Sequence, residues 1–171
     1  GSGPRHFTFH PDGTYAYLAE ELTSSVASFS YQKERGKLEL IEDQVVALPS
    51  DFKEGNTSAD IHTDRFGKYL MTSNRGHDSI SLYAIEKDGK LKFRRNVSTE
   101  GVKPRNFLVD QKNEFVFVAV QDVVLRRCLL LGEKVQRILL TPHFIHPDRD
   151  ELKLAVAVHA VHLDKVWELS H

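Results

Sequence analysis

Residues 58–85 read SADIHTDRFGKYLMTSNRGHDSISLYAI, and this stretch decides the fold because its pattern occurs three times in the chain. The first copy begins at Pro4 as PRHFTFHPDGTYAYLAEELTSSVASFSY, and the third begins at Pro104 as PRNFLVDQKNEFVFVAVQD. A pattern that recurs every 45 to 55 residues or so indicates one supersecondary unit repeated along the chain. The turns of the three copies align at Gly13, Gly67 and Asn113, which are 54 and then 46 residues apart.

Each repeat contains short segments in which apolar and polar residues alternate, as in half-buried strands. In the second copy a segment around Ile61 precedes an Asp/Gly turn, and segments containing Tyr69 and Ile80 follow it. A Gly-Lys-Leu turn then leads into a fourth segment, in ERGKLELI of the first copy and KDGKLKFR of the second. Four short strands per repeat are typical of a propeller blade, whereas a sandwich does not require the same pattern three times. The sequence predicts an all-β fold, a partial β-propeller of three to four four-stranded blades.

The repeat pattern divides the chain into two regions. Residues 1–122 hold the clear blades, and residues 123–171 form either a degenerate fourth blade or a divergent C-terminal segment. The segment VVLRRCLLLGEKVQRILL fits a hairpin or an amphipathic helix, and the hairpin agrees better with the earlier turns. HFIHPDRDELKLAVAV, from His143, is similar to HFTFHPDGTYAYLAEE from His6, which favours the fourth blade.

Composition restricts the partners and the compartment. The 171 residues are 40% hydrophobic and 27% charged with a net charge of −1, which gives no general attraction to nucleic acid or to an anionic membrane. The single cysteine, Cys128, excludes an internal disulfide and fits a reducing compartment. Neither a signal peptide nor an apolar run of about 20 residues is present, so we expect a cytoplasmic protein.

Three segments resemble the propeller lactonase family over about residues 3–122: GPRHFTFHPDGTYAY, NTSADIHTDRFGKYLMTSNRGHDSISLYAI and VSTEGVKPRNFLVD. This family includes 6-phosphogluconolactonases and carboxy-cis,cis-muconate cyclases, and its full-length members close seven blades. The resemblance implies metal-free hydrolysis of a sugar lactone, foremost 6-phosphogluconolactone, with no cofactor. Two alternatives stay open: a carboxymuconate-type cycloisomerase, and a non-catalytic propeller fragment that serves as a binding module.

Equivalent positions of the repeats predict where a site lies. After the second strand of each repeat stand Glu21, Arg75 and Gln121. A turn alone does not require opposite charges at one position, so we expect Arg75 to point toward a ligand near the axis, where a planar guanidinium can bind phosphate or carboxylate. The alternative is a structural ion pair of Arg75 with Glu21 or Asp78.

In front of the innermost strand of the three repeats stand Arg5, Ala59 and Arg105, so that two of the three equivalent positions hold arginine. In the cyclase branch of the family, positions matching Arg5, Glu21 and Arg75 belong to the proposed active site. The resemblance therefore implies catalytic roles for these three residues, and we expect Arg105 to contact the substrate.

His62 is the candidate base. It shares a strand face with Asp60 and Asp64, and a neutral imidazole can activate water for attack on a lactone carbonyl. The alternative is a strand histidine that only hydrogen bonds to a carboxylate. His77 and Asn74, in the adjacent loop, are further candidates for substrate binding. The C-terminal histidines lack the context of a zinc motif, so no metal site is predicted.

The partial ring also predicts self-association. Blades cut from a closed ring leave apolar faces at both ends, and soluble monomers rarely expose large apolar patches. We therefore expect a homodimer that completes the propeller ring.

Overall fold

The computed structural model describes residues 1–111, 116–122, 140–142 and 154–157. These residues form three four-stranded sheets, which confirms the predicted all-β, partial propeller. Helix in this described part is confined to one 3₁₀ turn, Lys33–Arg35, which connects two strands of the first sheet. Each sheet is called a blade below and is numbered along the chain.

Blades 1 and 2 are four-stranded antiparallel meanders in which consecutive strands are neighbours, as the alternating segments predicted. In both blades the strands lie in the sheet in the order in which they occur along the chain, and the first strand is the innermost. The strands of blade 1 are β1 (Pro4–Phe9), β2 (Tyr15–Glu20), β3 (Ser25–Gln32) and β4 (Lys37–Val46). Those of blade 2 are β5 (Thr57–Thr63), β6 (Tyr69–Arg75), β7 (Ser79–Ile85) and β8 (Leu91–Ser98).

Blade 3 begins in the same way, with β9 (Val102–Val109) antiparallel to β10 (Val116–Asp122). Its next strand is β12 (Leu154–Ala157), which runs parallel to β10, and β11 (Leu140–Pro142) lies at the edge. Parallel neighbours need a long connection rather than a hairpin, and the chain between β10 and β12 is long enough to provide one. The rest of the predicted fourth blade lies outside the described residues, so it stays a prediction.

Successive side chains of a strand point to opposite faces of the sheet, so neighbouring residues of one strand pack against different blades. Leu70 packs against Tyr17 in the core between blades 1 and 2, whereas Met71 packs against Phe107 in the core between blades 2 and 3. Burying each such side chain stabilises the fold by about 1.5–3 kcal/mol. Blade 2 is therefore covered on both faces, which fixes its register against both neighbours.

The first strands of the three blades lie side by side. Arg5 Nη1 donates a hydrogen bond to the carbonyl oxygen of Ala59 at 2.6 Å, and Asn106 Nδ2 donates to Asp60 Oδ2 at 2.6 Å. These contacts join equivalent or adjacent repeat positions across blade boundaries. Side chains from β1, β5 and β9 therefore meet in one place.

Blade 1 has one face that no described residue covers. On this face Phe9 contacts Phe7 edge-on, with ring centroids 5.1 Å apart, and also contacts Tyr31. Large apolar side chains on β1 and β4 remain substantially exposed: Phe7 41%, Phe9 47%, Leu38 41% and Leu40 59%. We call this surface, made of Phe7, Phe9, Tyr31, Leu38 and Leu40, the open face of blade 1.

Candidate functional site

Glu21 lies between two arginines where the first two blades meet. Arg75 Nη2 donates a hydrogen bond to Glu21 Oε1, and Arg5 Nε lies 3.6 Å from Glu21 Oε2. The arginine side chains are mostly buried, 14% and 16% exposed, while that of Glu21 is 33% exposed. The ion pair between Arg75 and Glu21 that the sequence offered as an alternative is present, and it places the arginines together at the blade junction.

The arginines keep Glu21 charged. The hydrogen bond from Arg75 lowers the pKa of Glu21 below its ordinary value, and although burial opposes this change, the charges of Arg75, Arg5 and Arg105 add to it. Arg105 is exposed and acts on Glu21 through its charge. Two guanidinium groups in contact with one carboxylate and a third that acts on it through its charge leave an excess of positive charge, which favours binding of an anion. We call Arg5, Glu21, Arg75 and Arg105 the arginine cluster.

The turn after Arg75 has its own structural requirements. Gly76 has φ +132°, and a Cβ there would lie 2.1 Å from the carbonyl oxygen of Gly55. Asp78 accepts hydrogen bonds from the backbone N–H groups of Gly76 at 3.2 Å and Lys103 at 2.8 Å. Asp78 therefore shapes the turn, and Glu21 is the partner of Arg75.

Asp60 is a second centre, and it joins all three blades. Its carboxylate lies 2.7 Å from His6 Nδ1 and 3.1 Å from His62 Nε2. It also accepts hydrogen bonds from Asn106 Nδ2 at 2.6 Å and from the backbone N–H of Phe107 at 3.0 Å. Asp60 itself is only 3% exposed. A buried carboxylate with this many donors is held in the charged, acceptor-only form.

The pKa of Asp60 agrees with that geometry. Burial acts to raise the pKa, but the hydrogen bonds from His62, His6 and the Phe107 amide outweigh it and lower the pKa to about 2. The carboxylate is therefore ionised at any pH near neutrality.

His6 connects the two centres. Its Nε2 lies 3.4 Å from Arg5 Nη1, while its Nδ1 faces Asp60. A continuous series of polar contacts thus runs from Arg75 through Glu21, Arg5, His6 and Asp60 to His62. His62 packs edge-on against Phe107 at 4.9 Å, and its side chain is 39% exposed. Within the part of the chain that the structure describes, His62 Nδ1 has no hydrogen-bond partner.

The structure brings some of the predicted site residues together and places others elsewhere. Arg5, Glu21 and Arg75 lie together with Arg105 nearby, and His62 joins them through Asp60 and His6. Their catalytic roles stay predictions. Asp64, on the same strand face in the sequence, instead accepts the backbone N–H of Tyr69 at 2.8 Å in the following turn.

Asn74 and His77 lie apart from these contacts. Asn74 is fully buried, and its amide nitrogen donates to the hydroxyl groups of Ser79 at 3.2 Å and Ser81 at 2.7 Å. His77 Nδ1 lies 2.7 Å from Ser79 Oγ, and its ring packs edge-on against Phe52. Because Asn74 is buried and hydrogen bonds within blade 2, we leave it out of the proposed site. A substrate contact by His77 stays a prediction.

Sequence reasoning missed His6 and Asn106 as members of the site. Both stand at the repeat position of Asp60, one in each neighbouring blade. Three different polar residues at one repeat position were the available signal, the same signal that identified Glu21 and Arg75.

No group of three or more His, Cys, Asp or Glu side chains arranged to hold a metal occurs among the described residues. A helix that could span a lipid bilayer is also absent from this described part of the chain.

The three sheets define a partial β-propeller, and arginine, histidine and acidic side chains meet where its first strands lie side by side. The chain belongs to the lactonase family, described as lactonase, 7-bladed beta-propeller, whose match covers residues 1–124. This confirms the resemblance seen in the sequence.

Individual relatives agree. A 6-phosphogluconolactonase of Bacillus subtilis is 39% identical over 124 residues, which are 71% of this chain and 35% of that protein. A crystal structure of a Lactobacillus plantarum protein superposes with a TM-score of 0.68 at 40% identity, covering 71% of this chain and 35% of the other. The periplasmic gluconolactonase PpgL of Pseudomonas aeruginosa superposes with a TM-score of 0.65 at 34% identity, covering 71% and 33%. The chain thus spans about a third of the length of these relatives, and because one of them is periplasmic, the cytoplasmic location stays a prediction.

Proposed function

We propose that this chain supplies catalytic and binding groups for the hydrolysis of a sugar lactone, with 6-phosphogluconolactone as the foremost substrate. Membership of the lactonase family and the relatives named 6-phosphogluconolactonase or gluconolactonase support the lactone class. The observation that carries the proposal is the pairing of His62 with Asp60 in contact, through His6, with the arginine cluster.

His62 has the arrangement of a general base. Asp60 holds its Nε2, and the unpartnered Nδ1 can take a proton from a water molecule. As the proton leaves, the water oxygen bonds to the lactone carbonyl carbon and the carbonyl electron pair moves onto its oxygen. The oxyanion electron pair then re-forms the carbonyl as the ring C–O bond breaks. The protonated imidazole gives its proton to the departing alkoxide, so that the products are the open hydroxy acid and the regenerated base.

Arg5 and Arg75 supply the positive charge that this step needs. A fixed guanidinium lowers the energy of a developing oxyanion most effectively where water is largely excluded, and both side chains are mostly buried. Glu21 orients them, since each contacts its carboxylate. No metal ion is required in this scheme.

Arg105 is the proposed contact for the phosphate of the substrate. It is exposed, and its guanidinium has no hydrogen bond to any other residue in the described part of the chain. Arginine binds phosphate through paired N–H donors, and exposure leaves these donors available.

The test is a lactone-opening assay on the purified chain, corrected for spontaneous hydrolysis. We expect His62→Gln to lower kcat by about 10²-fold or more, in line with the usual contribution of a general base. The matched control is His10→Gln, because His10 also crosses a blade boundary, to the carbonyl oxygen of Gly67, but lies outside the site.

Three results would overturn parts of this proposal. Equal activity of His62→Gln and the unaltered chain would remove His62 from the mechanism. Turnover of carboxymuconate without turnover of 6-phosphogluconolactone would favour a cycloisomerase, for which the two arginines would bind substrate carboxylates. Binding of 6-phosphogluconate without any turnover would favour a binding module.

A further inference from the structure

The Asp60 carboxylate binds two histidines from different blades through different ring nitrogens. His6, on β1, faces it with Nδ1 at 2.7 Å, and His62, on β5, faces it with Nε2 at 3.1 Å. The other groups around the carboxylate are the Asn106 amide and the backbone N–H groups of Ile61 and Phe107, all of which donate. Arg5 lies next to His6, and the charged groups beyond it in this series of contacts are Glu21 and Arg75.

The chemistry of the acceptor determines where the ring protons are. An ionised carboxylate can only accept hydrogen bonds, so the nitrogen of each histidine that faces it must carry the proton. That places a proton on Nδ1 of His6 and on Nε2 of His62. Whether the second nitrogen of each ring carries a proton depends on the group that it faces.

His6 Nε2 and His62 Nδ1 have different surroundings. His6 Nε2 lies 3.4 Å from Arg5 Nη1, and a guanidinium can only donate, so this nitrogen must be an unprotonated acceptor. His62 Nδ1 faces no donor among the described residues. Both nitrogens of His6 are therefore occupied, whereas Nδ1 of His62 is open among the described residues.

We propose that Asp60 is a positioning residue that fixes His6 and His62 in opposite tautomers, His6 protonated on Nδ1 and His62 protonated on Nε2. The first tautomer lets His6 link Arg5 to Asp60, and the second leaves His62 Nδ1 free to accept a proton. The role of His62 as a base rests on the proposed function, but the tautomers themselves do not.

Cohesion between blades does not by itself account for the two histidines. Asn106 and the Phe107 amide already join blade 3 to Asp60, and Arg5 already joins blade 1 to blade 2 through the Ala59 carbonyl. The blades are joined without the histidines, and what the histidines add is a defined position for the proton on each ring. The experiment therefore measures which ring nitrogens carry protons.

The experiment is a long-range ¹H–¹⁵N correlation spectrum of the histidine rings in the ¹⁵N-labelled chain at pH 8, which distinguishes protonated from bare ring nitrogens. Signals are assigned with His6→Gln and His62→Gln. We expect His6 to show a bare Nε2 and His62 to show a bare Nδ1. In Asp60→Asn we expect the His62 ring to become a tautomer mixture, while His6 keeps the bare Nε2 that faces Arg5. The control Asp64→Asn, a buried acid in the following turn, keeps both tautomers.

The same tautomer for His6 and His62 in the unaltered chain would overturn the proposal, as would two unchanged tautomers in Asp60→Asn. If Asp60→Asn does not fold, the spectrum of the unaltered chain still decides between opposite and equal tautomers. Opposite tautomers together with an active His62→Gln would leave this inference standing and refute the proposed function. Equal tautomers with an inactive His62→Gln would do the reverse.

Discussion

Glu21 and Arg75 occupy the same repeat position in consecutive blades, 54 residues apart, and they hydrogen bond to each other. His6 and Asp60 show the same relationship, again across 54 residues. Equivalent positions meet because the inner strands of neighbouring blades lie side by side. A propeller can therefore assemble a polar site by placing different residues at one repeat position while the core positions stay apolar.

The ion pair at the blade junction should stabilise the fold measurably. Replacing Glu21 with Gln leaves Arg5 and Arg75 without the carboxylate they share, and we expect a loss of about 1–3 kcal/mol in the free energy of unfolding, between the values for exposed and buried pairs. Urea denaturation measures it. The control is Glu39→Gln, which breaks the exposed pair with Lys37 and should change stability much less. Equal effects of the two variants would contradict a structural role for Glu21.

Asp60 predicts a specific acid sensitivity. Because its folded-state pKa of about 2 lies below the ordinary value of 3.8, its contribution to stability is fully present above about pH 4 and is lost as the pH falls toward 2. The shift corresponds to about 2 kcal/mol. We expect the stability difference between the unaltered chain and Asp60→Asn to shrink by about that amount between pH 5 and pH 2, measured by urea denaturation.

The acid prediction has an internal control. Asp88→Asn removes an exposed carboxylate that pairs with Lys90, and its effect should be small at every pH. A constant difference between Asp60→Asn and the unaltered chain across this pH range would show that the Asp60 carboxylate is not held in its charged form by folding.

Gly76 should tolerate no side chain. Its φ of +132° and the 2.1 Å approach to the Gly55 carbonyl oxygen combine strain with a clash against backbone. We expect Gly76→Ala to cost about 2–5 kcal/mol in unfolding free energy. Gly36→Ala is the matched control, since Gly36 also has a positive φ, +58°, but open space around the added Cβ, so about 1 kcal/mol is expected there. Thermal unfolding of both variants tests the difference.

Arg105 should select for the phosphorylated substrate. We expect Arg105→Gln to raise KM for 6-phosphogluconolactone roughly tenfold, the loss expected for a hydrogen bond to a charged group. KM for the unphosphorylated gluconolactone should stay the same, because that substrate has no phosphate to lose. Steady-state assays with both lactones measure this, and an equal rise for both would assign Arg105 to the lactone ring.

The homodimer stays a prediction, and the open face of blade 1 offers a way to test it. We expect light scattering of the chain at micromolar concentration to give twice the 19.5 kDa mass of one chain. The double variant Phe9→Glu, Leu40→Lys should shift the mass to that of one chain, because it places charge in the centre of the exposed apolar surface. Phe66→Glu, a similarly exposed residue in a turn of blade 2, is the control and should leave the mass unchanged. A single-chain mass for the unaltered protein would refute the prediction.

Most of the fold could be read from the sequence. The alternation of apolar residues and the Gly-containing turns are local features, and strands of blades 1 and 2 form where these features recur. The parallel pairing of β12 with β10 could not be read, because no local pattern records which distant strand will take the next place in a sheet. Comparing repeat positions also identified Glu21 and Arg75 as unusual, since opposite charges at one position have no local cause.

The sequence by itself determined the strand period, the blade repeat and the presence of charged residues at positions where core or turn residues would suffice. Only the tertiary structure decided their partners: that Arg75 pairs with Glu21 rather than Asp78, and that Asp60 binds His6 and Asn106 as well as His62. The physical reason is distance along the chain. A strand pattern acts over a few residues, whereas the contacts of Glu21 with Arg75 and of Asp60 with His6 and Asn106 join residues 46 to 54 positions apart. They exist only because packing of apolar blade faces brings the inner strands together.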